Sequence, residues 1–290
     1  MAVPGYTQQA LHCGPAALAS LLQASGVPVT PEQLAGDLFI PARGGSLATE
    51  LVAQARVRGR VPLTLAPRET ALWQVLQAGQ PVLLRLNRGL GSAPVWHYAV
   101  LIGAEPGHYW LHDGEAQPRR IGRLRLLAEW ERGGFWALTV HQPAEPPAWT
   151  DAPSWMAALA PLLRREPAWA PAATQAAVTR WPESALAWAA RGNQHYARGE
   201  TREAWWALRR AAQRAPGDAA IANNLAHVSL ALGCRREAAA LLARAQAAMP
   251  PPAVAEALAQ TAAELAASTP VDEEPALCAL PLSDAADAPR

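Results

Sequence analysis

The chain has 290 residues, 51% hydrophobic and 17% charged, which is enough apolar surface for roughly two ordinary domains and excludes a disordered polymer. Its 25 basic and 24 acidic residues leave a formal net charge of +1 with no basic block, which argues against a nucleic-acid or polyanion partner. All 25 basic residues are arginine; with the abundance of alanine, this points to a GC-rich bacterial genome and carries no functional weight.

No apolar run approaches the roughly 18 residues of a membrane span. No charged-then-apolar leader opens the chain at Met1-Ala2-Val3-Pro4-Gly5, so the expectation is a soluble protein, cytoplasmic as written or periplasmic if a leader was removed. The cysteines, Cys13, Cys234 and Cys278, are too sparse and scattered to suggest a disulfide framework.

In chain order, residues 16–23 read as a helix, with Pro15 near its first turn and Gly26 past its end. Thr30 and Gln33 form the sequence of a capping box opening a second helix. Ser46 is placed to cap a third, over residues 47–58, and residues 69–78 make a fourth ending at Gly79. Strands are expected at 61–65, 81–86, 95–103, 109–112 and 135–140, with Ala104-Glu105-Pro106-Gly107 as the turn between the third and fourth. Helices followed by strands are an α+β order, not a doubly wound sheet.

Residues 143–154, rich in proline and alanine, read as a linker, and beyond them only helical signals remain. Gly199, Ala204, Ala211 and Pro216 recur 34 positions later as Gly233, Ala238, Ala245 and Pro250. The same offset backwards meets Ala170, Ala177 and Pro182, with Arg165 where the glycine belongs. This period resembles the tetratricopeptide repeat, in which small residues let antiparallel helices approach and proline ends the second one. Residues 252–267 would cap the array. The organisation expected is a domain at 1–142, a linker at 143–154, helical repeats at 155–267 and a disordered acidic tail at 268–290.

The segment that carries chemistry is Gln8-Gln9-Ala10-Leu11-His12-Cys13-Gly14-Pro15. A cysteine at a helix start has its sulfur near unpaired N–H groups and the positive end of the dipole, which favours thiolate. An amide a few residues upstream can donate to the oxyanion formed when that thiolate attacks a carbonyl; Gln8 is the first candidate and Gln9 the second. A thiolate nucleophile needs an imidazole and a group to orient it. Of the seven histidines, His97 sits in the apolar strand Val95-Trp96-His97-Tyr98-Ala99-Val100, where a polar side chain requires a reason. With the turn at 104–107, Gly103 would face His108 and His97 would lie almost opposite Asp113.

Gln8, then Cys13-Gly14-Pro15-Ala16-Ala17-Leu18, then Trp96-His97-Tyr98-Ala99-Val100, then Asp113, resembles the double-glycine (bacteriocin-processing) peptidases and their stand-alone relatives, over residues 5 to 142. The resemblance implies a papain-like cysteine peptidase domain of α+β class, followed here by an all-α tetratricopeptide helical array. It implies Cys13 as nucleophile, His97 as general base and acid, Asp113 as the orienting group and Gln8 as oxyanion donor. Many members have Asp-Pro at the third position where this chain has Asp113-Gly114, and the spacing from amide to cysteine varies, which leaves Gln9 open.

No cofactor is implied. His108 and His112 alternate along one strand with no second cysteine nearby, which argues against zinc, and Cys234 and Cys278 read as incidental. The expected partners are a peptide or protein substrate and a protein bound by the repeats. The alternatives are a catalytically silent peptide-binding domain on a tetratricopeptide scaffold, or acyl transfer to an amine by the same residues.

Overall fold

In a computed structural model describing residues 3–7, 12–90, 93–165, 167–269 and 274–280, the chain divides into two units, Met1–Glu166 and Pro167–Arg290. In the first, helices α1 (Cys13–Ala24), α2 (Pro31–Leu38) and α3 (Ala48–Val57) precede a six-stranded antiparallel sheet. Its strands are β1 (Val61–Thr64), β2 (Val82–Asn87), β3 (Trp96–Glu105), β4 (His108–His112), β5 (Arg119–Gly122) and β6 (Ala137–His141), in spatial order β1-β6-β2-β3-β4-β5. Helices α4 (Glu69–Gln77), α5 (Arg123–Arg132) and α6 (Ala152–Arg165) complete the unit.

Period-two alternation puts the two faces of β2 and β3 into different cores. Leu83, Tyr98 and Val100 pack with Leu18, Leu21 and Leu22 of α1. Leu84, Leu86, Ala99 and Leu101 pack on the other side with Leu72 and Val75 of α4 and Leu126 and Trp130 of α5. Helix α1 is buried at every position from Gly14 to Leu22, so its N-terminal cysteine is held by a rigid central element. The capping box at Thr30 and Gln33 forms as expected, both halves being present.

Four local expectations need correction. Ser46 does not cap α3: Leu47 is the N-cap, without a side-chain bond, and Ser46 packs instead against Gly14, where an added Cβ would lie 2.5 Å from its Oγ. The β3–β4 turn is only Pro106-Gly107, because glycine at φ +78° lets Glu105 pair directly with His108. A bulge between Leu101 and Gly103 then shifts the register, and pairing ends at Val100 with His112. Strand β5 and helix α5 lie in a stretch where the sequence pattern gives neither. Finally, α6 packs on β1 within the first unit, so the division falls after Glu166, not at the proline-rich stretch.

The second unit is helical: α7 (Ala170–Arg180), α8 (Ala185–Ala197), α9 (Thr201–Arg214), α10 (Ala219–Ala231), α11 (Arg235–Ala247) and α12 (Pro252–Ala267). The repeated residues do what their sizes allow. Gly199 and Gly233 turn the chain at φ +77° and +83°, and Ala204, Ala211, Ala238 and Ala245 are buried between helices. Gly192 lies so close to α9 that an added Cβ would sit 2.6 Å from Leu208 Cγ. Trp205 is fully buried, its indole donating to Glu237 at 2.7 Å.

The reading of residues 268–290 as a disordered tail and of two cysteines as incidental fails over residues 274–280. Cys234 and Cys278 form a disulfide, with Cys278 on a short 3-10 turn, Ala276–Ala279. The segment is held further by Arg209 donating to the Leu280 carbonyl at 2.7 Å and by Glu274 accepting from the Arg236 N–H at 2.7 Å.

Candidate active site

Cys13 is the first residue of α1, and the His12 carbonyl accepts the first helical bond, from Ala16 N–H at 3.2 Å. Burial pushes the Cys13 thiol up. Hydrogen bonding and charge from His97, with backbone N–H groups of Tyr98 and Gly14, outweigh it and hold the thiol below its ordinary value. It is the free cysteine among the described residues and is half-buried, open to the groove beside it. His12 stacks edge-on against Phe39 at 5.1 Å, a flanking role.

His97 is the second residue of β3, and Asp113 follows β4 directly. His97 Nε2 lies 2.6 Å from Asp113 Oδ1, which leaves Nδ1 for the sulfur. Burial disfavours the imidazolium, but hydrogen bonds to Asp113 and Cys13 and the aspartate charge prevail, so His97 is more basic than an ordinary histidine. Only 4% of the Asp113 side chain is exposed. Burial pushes its carboxyl up, but hydrogen bonding and charge from His97 and Arg88 outweigh this and hold it well below the usual carboxylate range.

Two arginines absent from the sequence-level site complete this cluster. Arg88 donates to Asp113 Oδ1 and Arg119 to Oδ2. Arg88 also lies 3.6 Å from Glu129, a buried carboxylate on α5 that accepts from Arg125 at 2.8 Å. The imidazole is therefore fixed by an aspartate that is itself clamped from β5 and from the end of β2.

Cys13, His97 and Tyr98 line a groove of about 710 Å³ whose other walls are Gly44 to Ala48, Arg85 and Pro94 to Trp96. The Gly44-Gly45 loop thus lies beside the sulfur. Gln8 and Gln9 lie outside the described residues. His108 accepts from Arg120 at 2.9 Å and His112 contacts the Val3 carbonyl at 2.9 Å, so the two engage different partners. Among the described residues no cluster of three or more His, Cys, Asp or Glu is arranged to hold a metal.

No protein-family profile matches the chain, and no curated protein matches it. Solved structures with partial likeness include the peptidase domain of Streptococcus ComA, a bifunctional ABC transporter of a quorum-sensing pathway. It is 19% identical, with 49% of this chain and 99% of that one covered and a TM-score of 0.41. A C39-like peptidase from Bacillus anthracis is 18% identical over 48% of this chain and 94% of its own, at 0.42. A double-glycine-motif protease from an AMS/PCAT transporter, solved with its leader peptide, is 22% identical over 48% and 91%, at 0.38.

Proposed function

We propose that the first unit is a papain-like cysteine peptidase. The observation that carries this reading is the convergence of Cys13, His97 and Asp113 from three separate elements, Cys13 and His97 lining one open groove and the buried Asp113 held against the imidazole, with the thiol made more acidic and the imidazole more basic. In the mechanism, the Cys13 thiolate attacks a peptide carbonyl carbon and the carbonyl electrons move onto oxygen. The Gln8 amide and a backbone N–H are the proposed donors to that oxyanion. As the tetrahedral centre collapses, the C–N bond breaks and the His97 imidazolium gives its proton to the leaving amine. Neutral His97 then takes a proton from water, whose oxygen attacks the thioester and returns Cys13 as thiolate beside a recharged imidazolium. Asp113 keeps the ring aligned throughout.

The second unit is proposed as a tetratricopeptide-like array that binds a protein partner. Its 34-residue spacing of turn glycines and buried alanines supports this.

The test is a peptide library incubated with wild type and with Cys13→Ala and read by mass spectrometry. New termini with wild type alone are expected; identical traces would remove the peptidase reading and leave the silent peptide-binding domain. Adding a primary amine to the same reaction separates hydrolysis from acyl transfer.

A further inference from the structure

The groove beside Cys13 contains a cation that the catalytic steps do not use. Arg85 on β2 lines it together with Cys13 and His97. Several other arginines of this unit are matched to carboxylates, Arg88 and Arg119 to Asp113, Arg123 to Glu69 and Arg120 to Glu105, while Arg132 donates to the Asn87 carbonyl. Arg85 forms no such pair among the described residues.

Arg85 is nevertheless held in place. Its Nε donates to the Gly133 carbonyl at 3.0 Å, and its guanidinium carbon sits 5.4 Å from the centre of the Trp96 ring. Trp96 is 55% exposed, so the stacked pair forms part of the groove wall and not of the core. The Nε bond and the stacking together set the plane of the guanidinium and leave its two terminal nitrogens without a protein acceptor among the described residues. A planar cation fixed in this way, half-buried and with free paired donors, is built to take a carboxylate through two parallel hydrogen bonds.

We infer that Arg85 is a specificity-determining residue that selects peptides carrying a carboxylate next to the scissile bond. The inference rests on the peptidase reading and names the substrate class for that same groove. The carboxylate has two sources, an aspartate or glutamate side chain or the free C-terminus of a short peptide. Both present the same planar anion.

Two experiments on the full chain separate this inference from the reading beneath it. In the first, libraries with free and with amidated C-termini are digested by wild type, Arg85→Gln and Arg85→Glu, with Cys13→Ala as the blank. Gln keeps an amide donor for the Gly133 carbonyl while removing the charge. Wild type is expected to enrich Asp and Glu at one position around the cut, or to favour the free-carboxylate library if the C-terminus is the ligand. The ratio of kcat/KM for an acidic peptide to that for its amide counterpart should fall about tenfold to a hundredfold in Arg85→Gln, the range for a hydrogen bond to a charged group. Arg85→Glu should turn the preference towards Lys and Arg.

In the second, the uncut library is passed over immobilised Cys13→Ala and Cys13→Ala/Arg85→Gln, and bound peptides are identified. Acid-bearing peptides should be retained by the first and lost from the second, with Cys13→Ala/Arg85→Lys retaining them as a control that the groove is intact. Equal preferences across the Arg85 variants in cleavage or retention would overturn the inference. Arg85-dependent retention with no cleavage by wild type would keep Arg85 as the carboxylate-binding residue of the groove but remove the peptidase reading, and with it the placement next to a scissile bond.

Discussion

Replacing Asp113 by asparagine tests the proposed catalytic geometry most directly. The side chain keeps its shape and one acceptor oxygen but loses its charge. With charge centres about 4 Å apart and an effective dielectric near 20, carboxylate and imidazolium attract by about 4 kcal/mol. A neutral hydrogen bond retains about 1 kcal/mol of that, so about 3 kcal/mol is lost, roughly two orders of magnitude in the population of the thiolate–imidazolium pair. The loss is deepened because Arg88 and Arg119 keep their charges and now face His97 without their shared counter-ion.

The assay is the rate of Cys13 alkylation by iodoacetamide as a function of pH. In wild type the thiol lies below its ordinary value, so the rate should already be substantial near neutral pH and should fall only under acid. In Asp113→Asn the acidic limb should move up towards that of a free thiol, with a loss of about a hundredfold near pH 6. Peptide hydrolysis, which also needs the imidazolium as proton donor, should show a bell: lost at low pH as the sulfur protonates, and at high pH as His97 gives up its proton. An unchanged alkylation profile in Asp113→Asn would refute the claim that this carboxylate sets the charge state of the pair.

Gly14→Ala should destabilise the first unit by about 1–3 kcal/mol, because its Cβ would meet Ser46 Cβ at 2.6 Å as well as the hydroxyl; denaturant titration measures it, and unchanged stability would show that the Ser46 loop moves freely. His141 is held down to about 4 by burial, so it folds neutral, whereas in the unfolded chain it titrates near an ordinary histidine's 6.5. The unfolded state therefore takes up the proton first as pH falls: stability is full above about 6.5 and declines to about 4, by about 3 kcal/mol, and His141→Phe should flatten that slope in urea melts run across the window. Breaking Cys234–Cys278, which closes a sequence separation of 44 residues, should cost the second unit up to about 4 kcal/mol on the chain-entropy scale; a melting temperature insensitive to reductant would show that the hydrogen bonds of residues 274–280 hold the segment unaided.

The fold was most legible where the signal is local. Thr30 and Gln33 announce their helix because both capping bonds lie within four residues. The glycine and alanine spacing of the repeats reports contacts between consecutive helices, which a linear pattern encodes directly. Legibility fails where a residue's partner is distant in sequence. Ser46 looks like a cap from its neighbours, but Gly14 lies across a helix contact that no window reveals. Cys234 and Cys278 look unrelated because only the return of the chain beyond α12 brings them together. The hairpin shows a smaller failure of the same kind: Pro106-Gly107 correctly marks the turn, yet whether it spans two residues or four depends on whether Glu105 and His108 pair.

The same distinction divides the site. Cys13 is recognisable because its reactivity comes from the helix it begins, and His97 because a polar residue interrupts an apolar strand. Asp113 could be guessed only through the register, and the register expected was wrong: β3 and β4 are paired further along towards their turn, and the carboxylate reaches the ring from beyond the last pair. Arg88, Arg119 and Glu129 carry no local signature, since an arginine after a strand or a glutamate in an amphipathic helix is ordinarily a solvated surface group. What gives them a role is that Asp113 is buried. A carboxylate with so little exposure stays ionised only if cations approach it: Arg119 holds the oxygen the imidazole does not touch, and Arg88, which shares the other with the imidazole, also leans on Glu129. The orientation of His97 is thus linked, through two ion pairs, to α5, an element no local sequence signal ties to the site.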